Sequence, residues 1–345
     1  MKKSNGDFAR SLSLLQGSGE GRAPEQVVHR VEDVQALVAD DLAEVEQLLR
    51  LASDQGPAPG RDAAAHLVAG GGKRIRPLAL LLAHSCFAPP GPAARQMAVV
   101  VELVHSATLM HDDVIDDGDE RRGKPTARKV WGNAVSVLAG DLLLVRALET
   151  TSLHAPELMP GLLATLRRLV EGEVIQLRGR VTLDPSEATY ERILQDKTAS
   201  LFGWATRAGA TLAGADSESI ERMGEFGEGL GVAFQLVDDL LDYSETNTGK
   251  TALADLSEGK LTLPLVLACA GRPELHSALQ RIHAGDLSPV GAVSNAVRDS
   301  GACDEVRRRA ETFTADALSA LRSVAPTPAR HILEGVATGL VERAI

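Results

Sequence analysis

The chain has 345 residues, 44% of them apolar and 24% charged, with a net charge of −11. That is the composition of a soluble globular protein, long enough for one large domain or two small ones. No basic face or tail of the kind a nucleic-acid binder carries is visible, and the longest apolar runs, such as PLALLLA and MAVVVELV, are too short to cross a bilayer.

Aromatic residues are scarce at 3%, so Leu, Val, Ile and Ala must fill the core, which suits packed helices better than sheets. Cys86, Cys269 and Cys303 are far apart, odd in number and without metal-ligand spacing. Unpaired thiols in a reducing cytoplasm are the simplest expectation. MKKSNGDFAR opens on two lysines, but no apolar stretch follows, so no signal peptide is expected.

Residues 1–25 are polar and Gly-rich and read as a mobile tail; residues 26–345 show no internal linker and read as a single all-α domain. Val28, Val31, Val34, Val38, Leu42, Val45 and Leu49 recur at helical spacing and predict a first long helix. AAAHLVAGGGKRIRPLALLLAHSCF predicts a short helix, a glycine break and a second helix with Pro77 near its start. Long helices are then expected over PPGPAARQMAVVVELVHSATLMHDDVIDD, NAVSVLAGDLLLVRALETTS, MPGLLATLRRLVEGEVIQLRG, SEATYERILQDKTASLFGWATRAGATLAG (Ser186 as N-cap) and SESIERMGEFGEGLGVAFQLVDDLLDY. A further helix begins at Pro264, and two or three more finish the chain. Nothing reads as a run of alternating strands.

Two acidic triplets stand out. Asp112, Asp113 and Asp116 form D-D-x-x-D, and Asp238, Asp239 and Asp242 repeat it. In a helix, i and i+4 lie one turn apart on one face, with i+1 set off by roughly 100°. Like charges so placed destabilise a bare helix by a few tenths of a kcal/mol per pair, a sign that a hard cation reverses. Mg²⁺ takes oxygen ligands and shares carboxylates with substrate phosphates, whereas the absence of clustered His or Cys argues against zinc. One copy could be a solvated face. Two copies, each ending an apolar helix and each followed by basic residues (Arg121 and Arg122; Lys250 and Lys260), point to a diphosphate clamp. GGGKRIRP places Lys73, Arg74 and Arg76 at a helix start suited to a second anion, although its spacing is not that of a P-loop. His105 lies two turns before Asp112 on roughly the same face.

With these motifs assembled, the chain resembles the trans-prenyl diphosphate synthases of the polyprenyl synthetase family. The resemblance runs from GGGKRIRP through ATLMHDDVIDDGDERRGKPT, EGEVIQL, DKTASLF and LGVAFQLVDDLLDY to GKTALADLSEGKLTLP, and covers roughly residues 26–345. It implies the all-α isoprenoid synthase bundle around a central cavity. It also implies Mg²⁺, three ions with the allylic diphosphate bound, held by Asp112, Asp113, Asp116, Asp238, Asp239 and Asp242. Arg121 would contact the allylic diphosphate; Lys197, Thr198 and Gln235 would line its site, closed by Lys250 and Lys260. Lys73, Arg76, His105 and Arg122 would hold isopentenyl diphosphate. The reaction implied is loss of the allylic diphosphate, attack of the isopentenyl double bond on the carbocation, and proton loss. A homodimer is implied as well, with peripheral membrane contact for release of a greasy product.

In this family, bulk just before the first aspartate motif sets the depth of the cavity. Ala107 and Thr108 are both small there, which implies a medium or long product, with the floor deeper near Val104 or Val101. Ala254 departs from the Gly or Asp of many relatives, while Lys250, Asp255 and Lys260 are retained. The alternatives are a short-chain (farnesyl or geranylgeranyl) synthase, a non-catalytic subunit of a heteromeric synthase, and a terpene cyclase or head-to-head condensing enzyme of the same fold. Intact aspartates in both motifs oppose the second, and the GGGKRIRP and DERRG elements oppose the third.

Overall fold

The computed structural model describes residues 24–183, 185–243 and 260–342, with their side chains from Leu37 on. The expected N-terminal tail up to residue 23 lies outside these residues, as do Lys250, Ala254 and Asp255. Regular structure among the described residues is helical throughout apart from one small hairpin, and the protein is all-α. The chain divides into two compact units.

The first unit runs to Leu162 and also takes in Trp204–Gly224 and Ser323–Gly335. It contains α1 (Pro24–Ser53), α2 (Gly60–Ala69), α3 (Ile75–Ser85), α4 (Pro92–Ile115), the hairpin β1 (Glu120–Arg121) and β2 (Lys124–Pro125), α5 (Ala127–Trp131) and α6 (Asn133–His154). On α1, Val38, Leu42, Val45 and Leu49 are buried, the one-faced stripe that the spacing predicts. α4 is different. Met97, Val100, Val101, Leu103, Val104 and Met110 have no exposed surface, and α4 packs on α1, α3 and α6. A helix apolar on all sides has to be a central one. Pro92 starts it at a position where a missing N–H costs nothing.

The second unit comprises Leu163–Gly203, Glu225–Arg322 and the chain from Val336. Most of α7 (Met159–Thr182) belongs to it, followed by α8 (Glu187–Ile193), a π-helical turn (Leu194–Ala199), the start of α9 (Ser200–Leu212) and most of α10 (Ser217–Leu241). Ser186 caps α8 as expected, its Oγ accepting from the Thr189 N–H at 3.3 Å. Then come α11 (Leu263–Cys269), α12 (Pro273–His283), α13 (Val290–Asp299) and α14 (Ala302–Leu321); α15 (Pro328–Glu342) is shared with the first unit. Leu194, Val232, Leu236, Leu263, Val266 and Val306 form the core under the second acidic motif.

Three features differ from expectation. Four helices follow α11 instead of two or three, because Pro273, Pro289, Gly301 and Pro328 punctuate that stretch more often than its periodicity suggests. The segment after the first acidic motif closes as a hairpin, Arg121 opposite Lys124, with Arg122 (φ 54°) and Gly123 (φ 72°) at its turn. A two-residue turn of type I′ needs positive φ at both places, and here an arginine accepts it. The helix expected over residues 186–214 is interrupted by the π turn. No helix of the described residues is long and apolar enough to cross a membrane, and Cys86, Cys269 and Cys303 are unpaired thiols.

Candidate active site

The first acidic motif closes α4. Asp112 and Asp113 sit in its last turn and Asp116 just beyond, the Asp116 N–H still bonded to the Asp112 carbonyl at 2.8 Å. The helical spacing therefore survives across the helix end. The three carboxylates are not equivalent. Asp113 is buried, and its Oδ1 accepts from both Nε and Nη2 of Arg121 at 2.8 Å. Asp112 and Asp116 are half-buried. His111, next in sequence, turns toward α6, its Nε2 being 3.2 Å from the Val137 carbonyl and 3.4 Å from Asp141.

Behind this end of α4 lies a basic cradle. The glycine break between α2 and α3 lets Arg74 adopt a left-handed backbone (φ 48°) and turn inward. Arg74 Nε donates to Glu46 of α1 at 2.9 Å, and Nη1 donates to Glu102 of α4 at 2.5 Å. Arg122 comes in from the hairpin turn over the backbone of Gly72, where an added Cβ would stand 2.9 Å from Arg122 Nη1 and 3.0 Å from Arg74 Nη1. Arg76 is weakened as a proton holder by burial, against the pull of Glu102, and its pKa falls to about 10. His105 sits among these guanidiniums. Burial first, then the charges of Arg76, Arg122, Arg121 and Arg74, hold its pKa well below the ordinary histidine value, so the ring is neutral. Lys73 is half-buried at the same break. Ala107, two residues past His105, is buried, and Thr108 Oγ1 donates to the His105 carbonyl at 2.8 Å.

In the second unit most of the predicted residues, though not Asp242, surround one cavity of about 260 Å³. Lys197, Thr198, Gln235, Asp238, Asp239 and Lys260 line it, with Ile193, Leu194, Leu261 and Val266 as apolar wall. The π turn carries Lys197 and Thr198. It is braced by Asp196, which is buried and accepts from Arg168 Nε at 3.0 Å and from Arg192. α7 approaches this turn at Gly172, where a Cβ would come within 3.0 Å of the Lys197 backbone nitrogen. Lys197 Nζ bonds Gln176 at 2.8 Å and pairs with Glu173. A hydrogen-bonded line runs from Thr198 Oγ1 to Gln235 (3.3 Å), and from Gln235 Nε2 to Asp239 Oδ1 (3.0 Å). Asp239 Oδ2 accepts from Tyr190 OH at 2.7 Å and from the Leu263 N–H at 3.0 Å. Burial, followed by the charges of Asp239 and Asp238, raises the Tyr190 pKa well above its usual value, so the phenol remains a donor. Asp238 is exposed and Asp242 half-buried.

The two motifs thus divide in the same way. The middle aspartate of each, Asp113 and Asp239, is buried and holds protein donors. The flanking aspartates Asp112, Asp116, Asp238 and Asp242 keep solvent-accessible surface. Among the described residues no three His, Cys, Asp or Glu side chains converge on one point. Short sets of hard oxygen donors, with neither thiolate nor imidazole in the set, suit Mg²⁺, which keeps waters and completes its shell with phosphate oxygens.

Sequence reasoning missed Glu102, Tyr190, the Arg168–Asp196 brace, and Arg180, which is buried and lines the same cavity. Glu102 carried a signal, a lone carboxylate in an apolar helix one turn before His105. Tyr190 carried another, as one of only two tyrosines in the chain.

The polyprenyl synthetase family profile matches residues 60–299. The chain is 40% identical to the octaprenyl diphosphate synthase of Escherichia coli over 287 residues, 81% of this chain and 88% of that protein. It superposes on a decaprenyl diphosphate synthase from Rhodobacter capsulatus with a TM-score of 0.85 at 35% identity, covering 91% and 99% of the two chains. A polyprenyl synthase from Caulobacter crescentus, solved with calcium and isoprenyl diphosphate, matches with a TM-score of 0.83 at 36% identity over 91% and 98%. The chain belongs to the polyprenyl synthetase family. It is a chain-elongating trans-prenyltransferase.

The neutral state of His105 has a consequence for stability. Unfolded, the ring takes up a proton as pH falls through about 6.5; folded, it does not until well below that value. The stabilising contribution is complete above pH 6.5 and is lost as pH falls below it. Chemical denaturation at pH 7.0 and 5.5 is expected to show a loss smaller by about 1 kcal/mol in His105→Gln than in the wild type. An equal loss in both would mean that the ring protonates in place.

Proposed function

We propose that this chain condenses isopentenyl diphosphate with an allylic diphosphate, in repeated cycles and with Mg²⁺, to build a medium- to long-chain all-trans polyprenyl diphosphate in the cytoplasm. The observation that carries the reading is the unlike make-up of the two charged sites. Arginines crowd round a neutral His105, a setting for a diphosphate that is to be held intact. The second site joins exposed Asp238 to Lys197 and Lys260 over an apolar wall, a setting for a diphosphate that is to leave.

In this reading Lys73, Arg76, Arg122 and His105 hold isopentenyl diphosphate. Asp112, Asp116, Asp238 and Asp242 hold Mg²⁺, three ions when the allylic substrate is bound, while Asp113 and Asp239 fix the geometry of their neighbours. Bound Mg²⁺ supplies positive charge that offsets the charge developing on the departing diphosphate. Lys197 and Lys260 add fixed positive charge for the same oxygens, with Lys250 from outside the described residues. The allylic C–O bond breaks with its electron pair on the diphosphate. The isopentenyl double bond attacks the carbocation, and a proton leaves to the released diphosphate. Ile193, Leu194, Leu261 and Val266 exclude the water that would quench the cation.

Labelled isopentenyl diphosphate, farnesyl diphosphate and Mg²⁺ are expected to give elongated allylic diphosphates. Excess chelator, or Asp112→Ala with Asp238→Ala, is expected to lower turnover by at least about a hundredfold. No product, a hydrocarbon, or turnover indifferent to chelator would each reject the reading.

Ala107 is buried one helical turn before the acidic end of α4, with Val104 and Val101 wholly buried at the next turns. Each turn adds about 5.4 Å, on the order of one isoprene unit. Ala107→Phe is therefore expected to shorten the product, read by reversed-phase chromatography of the dephosphorylated alcohols. An unchanged length would move the floor elsewhere.

The partner is a second copy of the chain. Leu163, Val170, Val174, Leu177 and Val181 are exposed and repeat along α7 at spacings of seven, four, three and four residues. That is the seam of a helix that packs along another helix, and an isologous pair would cover it twice over. Val174→Glu with Leu177→Glu is expected to halve the mass measured by light scattering; an unaltered mass would place the interface off this helix.

A further inference from the structure

We propose that Glu102 is a positioning residue for isopentenyl diphosphate, a single buried carboxylate that keeps the guanidiniums of Arg74, Arg76 and Arg122 assembled before the substrate arrives. The inference rests on the assignment of the basic cradle to that substrate.

Glu102 interrupts an apolar stretch of α4. Val99, Val100, Val101, Leu103 and Val104 around it are all buried, and the Glu102 side chain itself is 4% exposed. A carboxylate survives there only if it is paired and hydrogen-bonded. Its Oε1 accepts from Arg74 Nη1 at 2.5 Å. Arg74 is gripped from two further directions, by Glu46 on α1 at 2.9 Å and by the Val68 carbonyl at 3.3 Å. Arg74 and Arg122 then meet over Gly72, their Nη1 atoms within 3.0 Å of the same point. The charge of Glu102 also acts on Arg76 and Arg122. One carboxylate thus opposes the mutual repulsion of three guanidiniums, and it does so from a helix that packing holds rigid.

Removing its charge has two opposed effects. The positive potential rises, which favours an anion. The guanidiniums also lose what holds them together, and swing apart toward solvent. The second effect prevails, because the anion must then reassemble the cradle at its own expense, the cost that preorganisation avoids. Gln at this position keeps the shape and an acceptor for Arg74 Nη1 while discarding the charge.

The experiment uses the full chain. Binding of isopentenyl diphosphate alone is measured by calorimetry, and the KM of each substrate is measured with the other saturating. Glu102→Gln is expected to weaken isopentenyl diphosphate about tenfold in both Kd and KM, with the primer KM within about twofold of wild type. Glu102→Asp keeps the charge but shortens its reach, and guards against a Gln variant that fails to fold. It is expected to raise the isopentenyl KM about threefold, again without moving the primer KM. Unchanged or tighter isopentenyl binding, or equal movement of both KM values, would overturn the proposal. A wild-type chain that does not bind isopentenyl diphosphate would instead overturn the assignment of the cradle.

Discussion

Groups that recognise a diphosphate repel one another until it arrives, and the fold has to hold them regardless. Two like charges about 6 Å apart, at an effective dielectric near 20, repel by about 3 kcal/mol. That is a large part of the net stability of a domain. In the first unit Glu46, Glu102 and Asp113 answer Arg74 and Arg121. In the second, Glu173 answers Lys197, and Asp196 answers Arg168 and Arg192. Each of these carboxylates lies in a helix or on the π turn. Helix packing therefore sets where the counter-charge stands, and the counter-charge sets where the paired cation stands.

Backbone irregularity gathers at the same places. Of the four non-glycine left-handed residues among those described, Arg74, Asp117 and Arg122 border the first acidic motif or its cradle, at a cost in energy, and Leu183 follows α7. The π turn carries Lys197 and Thr198. A regular helix there would rotate the residues after the extra residue by roughly 100°. Asp196 and the bare face of Gly172 hold the wider turn in place, so the distortion is built into packing around the site.

The regular part of this architecture was legible in the sequence. Periodicity located α1, α4, α6, α7 and α10, and the paired D-D-x-x-D triplets, the glycine break and the DKTA segment located most of the charged residues described above. The illegible part shares one character. The π turn and the bonds from Tyr190 and Leu263 to Asp239 depend on which residues distant in sequence come together. A period of 3.6 carries no trace of an inserted residue until the two flanking helices are packed. Nor did identical spelling reveal that the middle aspartate of each motif differs from its neighbours. The difference is burial, which Asp113 takes from the interior of α4 and Asp239 from the floor beneath Tyr190.

The neutrality of His105 completes the logic of the first unit. A protonated imidazole would be one more cation among Arg74, Arg76, Arg121 and Arg122, and the cradle would need another buried carboxylate to stay assembled. A neutral ring contributes an N–H without adding to that repulsion. In the proposed reading that ring stands beside a diphosphate that remains bound through the cycle. In that reading the departing diphosphate needs the opposite treatment, positive charge that gains value as the C–O bond lengthens. One chain can offer both treatments because its arginines are ringed by buried carboxylates, whereas Asp238 and Lys260 stand at the rim of an apolar-walled cavity. There a charge that appears during the reaction meets little water and fixed dipoles already in place.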